Sequence, residues 1–400
     1  MKSMGNMGLS GNKKYKWERL IVSKSVHRWK IENPIETWLS YLADSSLFWK
    51  KIYVLYYKIF ASAYYEKGLS LIYDEIEKQR PNIEDYNESE RKLMIIDMIY
   101  SLHRFGVSYE EYFGYKYYNL NTRGRWQFNN LKMQYGLSDL LNEESIRPLF
   151  ENKGECYRLF RDFYKRDLIV VFRDNPNTEE VSSFIQKHSS FVLKPLCGHS
   201  GQGIKLCCDF NDFSEKGITI FLEQHRYDFV LEELIIQAEP MRALHPSSIN
   251  TLRIVTFKQE DEIVLLGGAL RMGIGGSFVD NAGKGGIYAS LDIETGIVNS
   301  MAIDNLGNYY VKHPSSGIVI PGFMIPKWKE LCGMITEIAS VLPGAVMISW
   351  DMAFTEKGWC MVEGNDVGGH HLIQMPTQKG IKNKLDLEIR KRLGKNDTIQ

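Results

Sequence analysis

Apolar positions recur along this chain with two different periods. In the first third they repeat at i, i+3 and i+4 over 38–42, 47–65, 69–76 and 93–102, which predicts amphipathic helices broken at Gly68 and at Arg80-Pro81-Asn82. Past residue 140 the pattern shortens to β-rich runs at 168–172, 191–194, 229–233, 251–257, 263–271, 286–292 and 345–350. Turn-forming clusters, Gln259-Glu260-Asp261, Glu294-Thr295-Gly296 and Glu356-Lys357-Gly358, punctuate these runs, so strands are expected. One later helix is expected to open at Pro326, whose missing N–H costs nothing in a first turn, and to run through Leu331, Ile335, Ile338 and Leu342. The class implied is α+β, with a helical domain over 1–140 and a catalytic-looking α/β-textured domain over 141–400.

Composition supports that division. Residues 1–140 hold 16 of the 22 tyrosines but only 8 of the 33 glycines. The Tyr109–Tyr118 cluster reads as core and interface packing, although tyrosine also stacks on sugars and bases. Lys+Arg and Asp+Glu both number 49, so no bulk field steers the whole chain onto nucleic acid. The six cysteines show no CxxC pair and no zinc spacing, and read as buried reduced thiols. The first thirty residues lack the apolar run of a signal peptide, so a cytoplasmic location is expected. Segment 47–65 is rich in aromatics, but Lys50, Lys51 and Lys58 interrupt it, and a charge at a bilayer centre costs about 2.5–3.5 kcal/mol. An amphipathic helix is expected there, with peripheral membrane contact through its Lys and Tyr side chains left open.

Three constellations carry chemistry. The first is Lys194 at a strand end, followed by the glycine-rich Cys197-Gly198-His199-Ser200-Gly201-Gln202-Gly203. It fits neither a Walker A loop nor GxGxxG, yet its N–H groups and the Ser200 hydroxyl are suited to closing over phosphates; a plain hairpin loop explains it equally well. The second is a C-terminal hairpin. With Glu356-Lys357-Gly358 as a three-residue loop, Thr355 pairs with Trp359, Asp351 then faces Glu363, and Asn365 shares that side. Two carboxylates and an amide oxygen form an all-oxygen set suited to Mg²⁺, unless they are simply solvated turn groups. The third is Glu232-Glu233-Leu234-Ile235, a strand running into a linker and followed by Glu239. Its backbone could meet an adenine edge and the later carboxylate a ribose. Arg253, Arg271 and Lys284 add cations suited to transferring phosphate.

In this order, Lys194 before a glycine loop, Glu232-Glu233-Leu234-Ile235 with Glu239, and Asp351…Glu363-Gly364-Asn365 resemble the ATP-grasp superfamily over about 146–395. Asn250-Thr251-Leu252-Arg253-Ile254-Val255-Thr256, with Asp280-Asn281 and Gly285-Gly286, is similar to its sugar-transfer-associated branch. The resemblance implies two α/β subdomains, about 153–232 and 233–395, that sandwich ATP beside an aromatic helical N-terminal domain. It implies that Lys153, Lys194, Ser200 and Gly201 bind phosphates, that the backbone of Glu232, Glu233 and Leu234 takes adenine, and that Glu239 takes ribose. Asp351, Glu363 and Asn365 would hold two Mg²⁺ ions, with Mn²⁺ as a substitute, and Arg253, Arg271 and Lys194 would act on the reacting groups. The reaction implied is ATP-dependent carboxylate–amine ligation through an acyl-phosphate, joining small-molecule, sugar-linked substrates; a phosphotransferase or a non-catalytic nucleotide scaffold are the alternatives. His370, His371 and Gln374 are candidates for an acceptor pocket.

Overall fold

The computed structural model of the chain describes residues 34–79, 87–198, 203–208, 210, 212, 214–260, 262–276 and 285–393. Ser200, Gly201, Lys284, the Asp280-Asn281 pair and the Arg80-Pro81-Asn82 break lie outside them. The chain divides into two compact units, Met1–Met133 and Gln134–Gln400.

The first unit is helical, with helices Pro34–Ala43, Leu47–Phe60, Ser62–Gln79 and Glu88–Phe105. The helical break expected at Gly68 lies elsewhere. It falls at Ala61, while Gly68 sits buried inside Ser62–Gln79. A Cβ there would stand 3.3 Å from the Tyr109 hydroxyl, so this glycine permits close approach and does not end the helix. Asn87 closes a capping box with Glu90 at the start of Glu88–Phe105, and Gly106 ends that helix at φ 76°. Tyr53, Tyr57, Tyr100, Tyr112, Tyr115 and Tyr117 are buried in the core, where a tyrosine ring supplies apolar area while its hydroxyl can find a partner. Tyr53 meets His103 Nδ1 at 2.7 Å, Tyr112 donates to Asp97 at 2.8 Å and Tyr117 donates to the Arg125 carbonyl at 2.8 Å.

The second unit holds two antiparallel sheets. The strands in chain order are β1 (Leu168–Val171), β2 (Phe191–Pro195), β3 (Lys205–Cys207), β4 (Phe229–Glu233), β5 (Thr251–Lys258), β6 (Ile263–Met272), β7 (Ile287–Asp292), β8 (Ile297–Val298), β9 (Ala302–Ile303), β10 (Tyr309–Tyr310), β11 (Met347–Thr355) and β12 (Gly358–Asn365). The smaller sheet runs β1-β4-β2-β3, and the larger runs β10-β9-β7-β6-β5-β11-β12 with β8 beside β7. Val181, Phe184, Phe191, Leu193, Phe221 and Phe229 form the core of the smaller sheet. In the larger sheet Leu252, Ile254, Trp350 and Met352 pack with Leu331 and Ile335 of helix Trp328–Ser340. Val255, Phe257 and Met347 pack with Ile373, Leu385 and Ile389 from the two C-terminal helices. Helix Trp328–Ser340 starts two residues later than the pattern predicts. Lys327 adopts φ 48°, and the Pro326 carbonyl accepts from Trp359 Nε1 instead of starting a helical turn. Of the cysteines, none of them in a disulfide, only Cys156 and Cys360 are buried; Cys197 and Cys208 are exposed, which corrects the expectation of six buried thiols. Among the described residues no helix is long and apolar enough to cross a membrane.

Candidate active site

The β11–β12 hairpin sets the site. Its turn is shorter than the sequence reading has it: Thr355 pairs with Gly358, leaving a two-residue loop, and Phe354 pairs with Trp359. A register shift between Asp351 and Met352 then inserts Val362 as an extra residue, so that Met352 pairs with Met361 while Asp351 pairs with Glu363. Asp351 therefore does face Glu363, because the bulge restores the residue that the tighter turn removes. The shift also changes faces. Trp359 and Met361 point into the core beside Phe354 and Met352, whereas Glu363 and Asn365 follow Asp351 to the opposite side.

Across the sheet this side continues. Arg253 of β5 is the register partner of Asp351, and Arg271 of β6 is the partner of Thr251, one pleat along. Asp351, 2% exposed, accepts from Arg253 Nε at 2.7 Å, Arg253 Nη2 at 2.6 Å and Arg271 Nη1 at 2.6 Å. Burial would raise its pKa, but the two guanidiniums outweigh burial and hold the carboxyl below its ordinary value. Glu363 is half exposed, 3.9 Å from Arg253 Nη2, and Asn365 Nδ2 reaches its Oε1 at 3.4 Å. The three predicted metal ligands thus share a face without being equivalent: Asp351 is charge-paired, and Glu363 and Asn365 present open oxygens.

A second cluster lies on the smaller sheet. Glu232 is buried between Lys194, 2.6 Å from its Oε2, and Arg166. Burial pushes its carboxyl up, but those two cations bring it down to about 2. Lys153 heads helix Lys153–Tyr164, where Asn152 caps Gly154 and Glu155, and its Nζ donates to the Gly198 carbonyl at 3.1 Å. Burial lowers the Lys153 pKa, Glu363 opposes that and Lys194 adds to it. Those couplings bring Lys153, Lys194, Glu232 and Glu363 into one electrostatic neighbourhood.

The remaining candidates are spread out. The Glu233 carboxylate accepts from the Asp167 N–H at 2.9 Å, and Leu234 is half-buried. Glu239 is engaged locally with Arg242 Nε at 2.9 Å and the Ala243 N–H at 3.1 Å. His370 and His371 follow β12; burial, reinforced by Arg253, depresses both to about 3. Sequence reasoning missed Arg166, whose Nη1 also donates to the Tyr164 carbonyl at 3.0 Å and whose guanidinium reaches the Met361 and Val362 carbonyls of β12. A cation directly ahead of the apolar run 168–171 was the available signal. It also missed Arg147, which pairs with Asp366 at 2.7 Å just beyond Asn365.

Among solved structures the chain is similar to D-alanine-D-alanine ligase from Helicobacter pylori, at 14% identity and a TM-score of 0.38, covering 64% of this chain and 68% of that one. It is also similar to N5-carboxyaminoimidazole synthase from Aspergillus clavatus, at 8% identity and 0.36, covering 60% and 51%. The biotin carboxylase domain of the Hydrogenobacter thermophilus 2-oxoglutarate carboxylase gives 13% and 0.39, covering 68% and 52%. The chain spans about half the length of the latter two. No curated protein matches it in sequence. The model of the sugar-transfer-associated ATP-grasp family matches residues 132–388, nearly the whole of the second unit and well over half of the chain. The chain belongs to the sugar-transfer-associated ATP-grasp family.

Proposed function

We propose that the chain is an ATP-dependent carboxylate–amine ligase that activates a small carboxylate as an acyl-phosphate and passes it to an amine. The observation that carries this reading is the row of charged side chains Arg271, Arg253, Asp351 and Glu363, ending in the amide of Asn365, on one sheet face and coupled to Lys153 and Lys194. An all-oxygen donor set beside buried cations suits a magnesium nucleotide. Glu363 and Asn365 would provide the open donors. Asp351, with three of its roughly four lone-pair sites taken by guanidinium N–H groups, would add a single further contact. Held by these residues, Mg²⁺ or Mn²⁺ would supply positive charge to offset that of the phosphates.

The protein's own groups do the rest by position. Lys194, held straight by Glu232, and Lys153, tethered to Gly198, would neutralise the phosphates of ATP. The backbone of Glu232, Glu233 and Leu234 would meet the adenine, and Glu239 would turn from Arg242 to the ribose. Ser200 and Gly201 would close over the phosphates. Arg253 and Arg271 fix positive charge where the transferring phosphoryl group develops negative charge. No side-chain nucleophile is needed, because the substrate carboxylate attacks the γ-phosphate, ADP leaves, and the amine then displaces phosphate from the acyl carbon. The family's description, sugar-transfer associated, supports a sugar-linked substrate; in this reading a sugar or uronic acid is joined to an amino acid, in cell-surface polysaccharide synthesis in the cytoplasm.

The test is ADP release with amino acids crossed against uronic acids and amino sugars, with mass spectrometry for an amide. Glu363→Ala is expected to lower turnover at least 100-fold, about 3 kcal/mol of transition-state stabilisation, with an unchanged circular dichroism spectrum. Near-normal ADP release by that variant would overturn the metal assignment, and ADP without amide would point to a phosphotransferase.

A further inference from the structure

Helix Leu47–Phe60 buries Tyr53, Val54 and Tyr57 on one side. Phe48, Lys51, Leu55 and Ile59, spaced by three and four residues, share the opposite side and face water, and Phe60, the last residue of the helix, is exposed as well. The neighbouring helix Pro34–Ala43 turns Trp38 and Tyr41 outward as well. Trp38 is 58% exposed, Phe48 63% and Phe60 64%. Trp49 joins the two rows, with its ring 6.3 Å from that of Trp38 and 5.5 Å from that of Phe48. A contiguous apolar surface of this kind marks a contact face, since scattered exposure would not align along two packed helices.

Charge selects the partner. Helix Leu47–Phe60 carries three lysines and no Asp or Glu. Lys50 turns inward to Asp97 at 2.8 Å, whereas Lys51 and Lys58 stay on the exposed side, Lys58 lying 5.5 Å from the Tyr65 ring. The 33 residues ahead of these helices add eight Lys and Arg against two Glu. Helix Pro34–Ala43 carries one Glu and no Lys or Arg, so the two helices together remain net positive, and a second copy of the chain would bring the same sign of charge. A surface that is negative at its rim and apolar beneath would satisfy both features. We propose that the face formed by helices Pro34–Ala43 and Leu47–Phe60 seats on a bilayer containing anionic lipid, with its aromatic rings at headgroup depth and Lys51 and Lys58 on the lipid phosphates.

The experiment is sedimentation of the full chain with phosphatidylcholine vesicles, with and without phosphatidylglycerol. Binding is expected only with phosphatidylglycerol, and to weaken as salt rises. Replacing both Lys51→Gln and Lys58→Gln is expected to weaken it about 25-fold, from about fivefold per lysine. Phe48→Ser with Ile59→Ser removes the apolar contribution and should abolish sedimentation. All four side chains are exposed, so an unchanged thermal melt checks that each variant is folded. Equal binding to neutral vesicles, no binding, or binding that survives both double variants would overturn the proposal. A concentration-dependent dimer lost in Phe48→Ser/Ile59→Ser, without vesicle binding, would assign the face to a second copy and overturn it as well.

Discussion

At the scale of single residues, the buried carboxylates show opposite outcomes of the same competition. Glu232 and Asp351 are sunk as deeply as Glu111, yet they stay ionised because each faces two cations. Glu111 meets only N–H and O–H donors, from Ser108, Leu131 and Tyr115, and burial wins, raising its pKa to about 7. A carboxyl whose folded pKa exceeds its unfolded value contributes most below the unfolded value, and that contribution is lost as pH rises through the folded one. Stability should therefore decline between about pH 4.5 and 7 through this residue. Chemical denaturation across that range should show the decline flattened in Glu111→Gln, which keeps the acceptor for the Ser108 N–H; an unchanged slope would assign the titration elsewhere.

At the scale of elements, the sequence reading succeeded where one face of a strand decided the pattern. The run 229–233 matches β4 residue for residue, and the runs beginning at 251 and 263 match β5 and β6 apart from their last residue. It erred where geometry beyond the strand decided. Gly68 looked like a breaker because its role depends on Tyr109, more than forty residues away. The β12 register looked uninterrupted because a bulge leaves no local signature: Val362 is one more apolar residue in an apolar run. The bulge lets Trp359 and Met361 enter the core while Glu363 and Asn365 leave it. Between these lies Gly364, where a Cβ would overlap the Phe150 ring and crowd Trp350. Gly364→Ala is expected to cost about 1–3 kcal/mol by overpacking, read as a lowered denaturant midpoint with an unchanged slope. An unaffected midpoint would mean that Phe150 yields freely.

At the scale of the whole molecule, neutrality conceals sorted charge, with a basic N-terminal stretch, a lysine-bearing aromatic face and a row of guanidiniums against carboxylates. That Asp351 faces Glu363 with Asn365 on the same side was legible from strand alternation, but Arg166 was not, since its value lies in joining two sheets that sequence separates by almost two hundred residues. Arg166→Met leaves Glu232 buried with Lys194 as its one remaining cation and is expected to cost about 3–5 kcal/mol. Adding Glu232→Gln should return part of that loss, and a thermal melt of the three variants reads both effects. The same guanidinium has a mechanical consequence. It grips the Glu232 end of β4 and two carbonyls of β12 at once, and so rivets a strand of the smaller sheet to the edge strand of the larger. The Pro195 end of β2 lies three residues beyond Val192, the register partner of Glu232, and so roughly 10 Å from this rivet. A load applied to either sheet is passed to the other through this rivet.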